Sequence, residues 1–281
     1  MEVVDRSEGY YMLFTRGGIG VWGFVVVAIV ASNQASSAAP IKWACIGNSI
    51  TEGYPNPENS YVPSLQRLLG AGYAVQNDGA SGRTLLRKGD DSYWTTGKLY
   101  DVFASTPAIV SIKLGTNDSK PQNWVDSVDF VSDLTALIDT VQTIQPKPTV
   151  WLFTPCPAWS NSYGINGALI KKSIVPRIKQ LARTKGLPVI DLNSALAGHP
   201  ELFPDGVHPS AAGADSIAGI IYRAFKGTSE IVRLASSTGT PGGIHQSRLS
   251  VSTKQGVIVT QEASGAVPGI GWDLKGARIQ K

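Results

Sequence analysis

A serine stands in a glycine-led turn, GNSIT at residues 47–51, and a histidine follows an aspartate by three positions in DGVHP at residues 205–209. A serine hydroxyl is a weak nucleophile until an imidazole takes its proton, and the imidazole needs a third group to fix its tautomer and orientation. Ser49, His208 and Asp205 are the residue types for those three roles. An attack of that kind puts negative charge on a carbonyl oxygen, which must be met by donors already in place. The backbone N–H groups of Ser49 and Gly79 and the side-chain amide of Asn117, in GTND at 115–118, are candidates. Gly79 lacks a side chain, so its backbone can come close to a ligand. Taken singly, Ser49 would as readily cap a helix and GTND would as readily form a turn. His199 and His245 read as surface or loop residues.

The intervening chain must bring these groups together. Short apolar runs at 42–47, 74–79, 108–115, 149–155 and 188–193 have the composition of strands buried on both faces. Between and after them, Phe130, Leu134, Leu137, Ile138 and Val141, and then Ile217, Ile220, Ile221 and Phe225, recur at helical spacing. Five strands alternating with helices predict a doubly wound α/β/α sandwich on a mainly parallel five-stranded sheet. Pro176 interrupts the helical pattern of 166–185, which predicts a kink or a late start. In such a sheet, ligands gather at the carboxyl ends of the strands. Ser49 follows the first run, NDGASG (77–82) the second, GTND the third and DGVHP the fifth, so all four motifs open onto one edge.

Composition narrows the function classes. The chain has 281 residues, 42% of them hydrophobic and 16% charged, with a net charge of +4. That suits one sizeable core with a small appendage. The basic residues are dispersed, leaving no nucleic-acid footprint. Cys45 and Cys156 each lie in or just after an apolar run, where a free thiol behaves as a small hydrophobe, although export would allow them to pair. No spacing matches a metal site, and no cofactor is expected. Residues 1–39 run from Arg6 and Arg16 through GIGVWGFVVVAIV to the small residues ASNQASSAAP, the order of a secretory signal peptide. A retained N-terminal anchor is the alternative, but the apolar part is shorter than the ~18–20 residues that span a bilayer. The expectation is therefore a secreted, periplasmic or cell-surface protein without stable membrane insertion after cleavage.

The four motifs, in this order, resemble those of the SGNH (GDSL-type) hydrolases, named for a serine, glycine, asparagine and histidine that stand here as Ser49, Gly79, Asn117 and His208. The resemblance covers roughly residues 41–226, with Asn48 in place of the aspartate of the GDS block. It implies a flavodoxin-like fold and ester hydrolysis through a serine acyl-enzyme, with Asp205 orienting His208. The stretches IKLGTNDSKPQNW and GASGRTLLRKGDDSYW are similar to those of secreted bacterial acetylxylan esterases and sialate O-acetylesterases. The implied substrate is then a small-molecule or polysaccharide acetyl ester, with Trp94, Trp124 and Trp159 as candidate faces for sugar rings. Alternatives are another SGNH esterase, such as a lysophospholipase, thioesterase or arylesterase, or a non-catalytic carbohydrate-binding or surface module. The hydrolase domain is placed at 40–226 and a Gly/Ser/Thr-rich linker at 227–247. Residues 248–281 form a short β-like tail similar to bacterial sorting tails, or a frayed end.

Overall fold

A computed structural model describes residues 38–237 except Asp126, together with 246–252, 258–264, 271–272 and 278–279. The expected signal peptide lies, apart from its last two residues, outside the described residues. Among the described residues no helix is long and apolar enough to cross a membrane.

Five parallel strands form the sheet: β1 (Ile41–Gly47), β2 (Tyr73–Gly79), β3 (Ile109–Lys113), β4 (Thr149–Phe153) and β5 (Val189–Ile190). Their spatial order is β2-β1-β3-β4-β5, the flavodoxin-like arrangement. The chain winds outward from β1 to β2, then crosses to β3 on the other side of β1. The crevice beyond the carboxyl ends of β1 and β3 is therefore the topological switch point. β5 is shorter than its apolar run because Asp191 ends it, its carboxylate accepting from Ser194 N–H to cap the helix that follows.

Alternation along the strands feeds two cores. Ala44, Ile46, Val110, Ile112, Val150 and Leu152 face one side of the sheet, and Trp43, Cys45, Ile109, Trp151 and Phe153 the other, all buried. Each face needs a helical layer, since a parallel sheet leaves neither side to water.

The helices are α1 (Ser49–Glu52), α2 (Tyr61–Leu69), α3 (Lys98–Ser105), α4 (Pro121–Trp124), α5 (Phe130–Val141), α6 (Gly167–Leu169), α7 (Val175–Lys185), α8 (Leu192–Ala195) and α9 (Ala211–Ser237). Leu134, Leu137 and Ile138 of α5 and Ile178 and Leu181 of α7 cover the first face. Leu65 and Leu69 of α2 and Ile217, Ile221 and Phe225 of α9 cover the second.

Two local features differ from the sequence pattern. Pro176 does not give its helix a late start: α6 begins at Gly167 and passes through a widened π turn, Ile170–Ile174, directly into α7. Such a turn makes room where proline lacks an N–H and its ring crowds the preceding turn. α9 runs on to Ser237, through the first part of the segment whose composition reads as a linker. Beyond it, Gln246–Ser252 and Ile258–Ser264 pair antiparallel, as do Gly271–Trp272 and Arg278–Ile279.

Candidate active site

Ser49 is placed by the end of β1. The strand closes at Gly47, Asn48 caps α1 by accepting from Ile50 N–H at 3.2 Å, and Ser49 is the first helical residue. A residue there has no preceding turn to bond to, so its N–H faces outward, and that N–H has no partner among the described residues. The Asn48 side-chain nitrogen is buried and likewise without a partner among the described residues. Ser49 is largely buried and its Oγ lies 2.9 Å from His208 Nε2.

The spacing of Asp205 and His208 is explained by a turn. Asp205 Oδ1 accepts from the backbone N–H groups of Val207 (2.8 Å) and His208 (2.6 Å), and Gly206 takes φ +80° between them. The second oxygen, Oδ2, is left 2.8 Å from His208 Nδ1. One carboxylate therefore builds the backbone turn and holds the ring that the turn presents. Partial burial works to raise the Asp205 carboxyl, but hydrogen bonds from the His208 backbone, the His208 ring and Val207 outweigh it and hold it below the usual range.

The loops after β2 and β3 are stitched together opposite this pair. Asn117 Nδ2 donates to Arg83 O at 3.0 Å, leaving its second amide hydrogen available. Buried Asp118 accepts from Leu86 N–H at 2.8 Å and Leu85 N–H at 3.0 Å. Burial pushes its carboxyl up to about 6 despite those bonds. Asn123 Nδ2 donates to Asn117 O at 2.9 Å. From the β1 side, Glu52 Oε2 accepts from Ser81 N–H at 2.7 Å and from the Ser81 hydroxyl.

Gly79 does not sit in this loop as a free donor. It is the last residue of β2, its N–H donates to Asn77 Oδ1 at 2.9 Å, and a Cβ there would collide with the backbone of Thr51 and Glu52. Its smallness lets α1 pack against the sheet. Gly82, three residues on at the tip of the turn, has φ +76°, and its N–H has no partner among the described residues. It is the second glycine of NDGASG, and the signal that would have singled it out is that the first still belongs to the strand.

The three tryptophans separate. Trp94 packs against the core, donates from Nε1 to Leu85 O at 3.1 Å and has the Arg87 guanidinium 3.9 Å above its ring. Trp124 packs against Phe130 with Arg177 over its ring. Neither presents a free face. Trp159 is exposed, rests on Phe203 at 5.0 Å, and its backbone N–H donates to Gly206 O at 2.9 Å.

Two aromatic residues that sequence reasoning missed stand against His208. The ring centroids of Tyr54 and Tyr163 lie 4.8 and 5.0 Å from that of His208. Tyr54 follows Gly53, where the chain leaves α1. Tyr163 belongs to the loop after β4, the one strand end to which no motif was assigned. Cys45 and Cys156 are buried free thiols, and burial pushes that of Cys45 up to about 12. Among the described residues, no three His, Cys, Asp or Glu side chains gather as metal ligands.

Residues 45–215 match the model of the GDSL-like Lipase/Acylhydrolase family. An acetylxylan esterase of Xylanibacter ruminicola is 38% identical over 207 residues, covering 66% of this chain and 43% of that protein, so the match spans less than half of the relative's length. A lipase/acylhydrolase structure from Enterococcus faecalis is similar at a TM-score of 0.55 and 28% identity, covering 66% of this chain and 96% of that one. A carbohydrate acetylesterase from Sinorhizobium meliloti has the same fold at a TM-score of 0.54 and 22% identity, covering 66% and 99%.

Proposed function

Because the chain belongs to the GDSL-like lipase/acylhydrolase family, we propose that it is a serine esterase that removes O-acetyl groups from carbohydrates outside the cytoplasm. The observation that carries the chemistry is the continuous relay from Ser49 Oγ through His208 to Asp205, at 2.9 and 2.8 Å. Ser49 Oγ attacks the ester carbonyl carbon while its proton passes to His208 Nε2. Asp205 keeps the other ring nitrogen protonated and steadies the imidazolium. The oxyanion is met by the Ser49 N–H, the Gly82 N–H and the free amide hydrogen of Asn117. Gly82 replaces Gly79 in this role because the Gly79 N–H is already committed to Asn77. Collapse of the tetrahedral intermediate breaks the ester C–O bond, and His208 returns its proton to the leaving alcohol. Water then repeats the sequence on the acetyl-enzyme and releases acetate.

The acetyl-carbohydrate assignment is supported by the 38% identity to an acetylxylan esterase. The placement outside the cytoplasm rests on the signal-like order of residues 1–39. The test is a chain-length series of p-nitrophenyl esters beside acetylated xylan, with Ser49→Ala as control. Acetyl esters should be hydrolysed best, with rates falling by butyryl. Ser49→Ala should lose at least ~10³-fold in kcat while remaining folded. A preference for octanoyl esters would transfer the reading to a lipid or thioester hydrolase, and a Ser49→Ala variant with more than a few per cent of the rate would overturn the nucleophile.

A further inference from the structure

Direction matters in this site. Whatever oxygen leaves with the alcohol must receive its proton from His208 Nε2, so the alcohol half of the ester lies on the His208 side of Ser49 and the acyl half on the other. The side chains packed around the His208 ring therefore face the alcohol. Tyr54 and Tyr163 do so at 4.8 and 5.0 Å between centroids, and the two tyrosine rings stand at 88° to each other, 6.1 Å apart. Both are exposed, at 40% and 53%, whereas His208 behind them is 7% exposed. The rings thus form the two walls of an open corner with the imidazole at its base.

Tyr163 is held there at a cost. Its φ of 59° is in the left-handed region, where a bulky side chain is rare and strained. The loop is fastened to the turn that carries the histidine: Trp159 N–H donates to Gly206 O at 2.9 Å and Ser160 Oγ to Asp205 O at 2.7 Å. The Tyr163 hydroxyl is pushed up to about 12, first by hydrogen bonding to Tyr54 and then by desolvation and the charge of Asp205. That leaves it neutral around pH 7, where this wall is an uncharged aromatic surface.

We propose that Tyr54 and Tyr163 are the residues that select the alcohol half of the substrate, receiving the pyranose ring of an acetylated glycoside in the corner above His208. The proposal rests on the serine-esterase reading of the same site. An aliphatic alcohol offers the two rings little surface, whereas a pyranose presents C–H faces of aromatic dimensions to both.

The experiment uses acetylated xylo-oligosaccharide, ethyl acetate and ethyl butyrate as substrates for the wild type, Tyr54→Ala, Tyr163→Ala, Tyr163→Phe and the double alanine variant. Each alanine should lower kcat/KM on the oligosaccharide about 5- to 10-fold, mostly through KM, as expected for loss of one ring contact. The double variant should lose roughly 50-fold, ethyl acetate should stay within about twofold, and the acetyl-to-butyryl ratio should be unchanged. Tyr163→Phe should behave as wild type. The proposal fails if both acetyl esters fall equally, if neither falls, if the acyl ratio moves, or if phenylalanine is as poor as alanine, which would assign the hydroxyl to holding Asp205. Titration of deacetylated xylo-oligosaccharide into Ser49→Ala, with and without the tyrosine changes, separates the two levels. Ring-dependent sugar binding in a protein that hydrolyses no ester would sink the esterase reading alone. Hydrolysis of ethyl acetate without any oligosaccharide binding or hydrolysis would sink the tyrosine proposal alone.

Discussion

At the scale of single residues, the groups proposed for chemistry are those whose position a local rule determines. Asp205 and His208 were legible because a carboxylate that closes a three-residue turn must stay near the ring at its end, and both bonds of that turn are present. Ser49 was legible because the first residue of a helix after a strand is open on one side. Asn117 shows how far such reading goes: one amide hydrogen is spent on Arg83 O, and the other is left for the oxyanion role proposed for it. Asn117→Ala should therefore lower kcat by ~10²–10³ with little change in KM, since its bond strengthens as charge develops. Steady-state kinetics on an acetyl ester checks this. A change confined to KM would make Asn117 a substrate-binding residue instead.

At the scale of elements, the strand ends decide which glycine does what. NDGASG contains two, and although the apolar run 74–79 ends on the first, composition alone does not say which of them serves the turn. The structure puts the boundary between strand and turn after Gly79, whose missing Cβ admits the backbone of α1, and leaves Gly82 to make the turn. The two should respond differently to the same substitution. Gly79→Ala forces α1 outward and should destabilise by about 1–3 kcal/mol, with activity falling as Ser49 shifts. At Gly82 the nearest atom to a new Cβ is the far end of Asp91, at 3.3 Å, so the cost there is mainly backbone strain, about 1 kcal/mol. Gly82→Ala should lower kcat through a displaced N–H while KM holds. Thermal unfolding and kinetics on both variants check the pair, and an unaltered kcat for Gly82→Ala would remove it from the oxyanion site. The tyrosine corner was illegible for a related reason: nothing local ties Tyr163 to His208, and only the fastening of the loop to the Asp205 turn brings them together. The outer layers were read well because apolar spacing is set by burial, while the end of α9 was not, because glycine, serine and threonine composition does not by itself stop a helix already packed on a sheet.

At the scale of the whole molecule, the edge that gathers the site also buries acid. Asp78, near the end of β2, is 1% exposed, accepts from Gln76 Nε2 at 2.7 Å through Oδ1, and has no partner for Oδ2 among the described residues. Burial pushes its carboxyl up from 3.8 to about 6. A folded value above the unfolded one means that the native state binds more protons in this window, so this group's contribution is most favourable below about pH 4 and is lost as pH rises through 6. Asp78→Asn should remove that loss. At pH 7 the variant should exceed the wild type by at most about 3 kcal/mol, with the difference shrinking towards pH 4. Urea unfolding at pH 4, 5, 6 and 7 measures it, and a difference independent of pH would mean that the carboxyl titrates normally.

The loop between β4 and α6 contributes no member of the Ser49, His208 and Asp205 set, yet it carries both Tyr163 and Trp159. Its attachment to the histidine turn uses one backbone N–H and one hydroxyl, those of Trp159 and Ser160. Ser162 in turn holds the Ser160 hydroxyl, by its own hydroxyl at 2.9 Å and its N–H at 3.3 Å, so under the proposed reading Tyr163 is the position in 161–164 at which the alcohol preference should change while the tethers persist. If the proposed alcohol corner holds, a library confined to the codon of Tyr163 should vary the preferred alcohol while the Ser49, His208 and Asp205 geometry is kept.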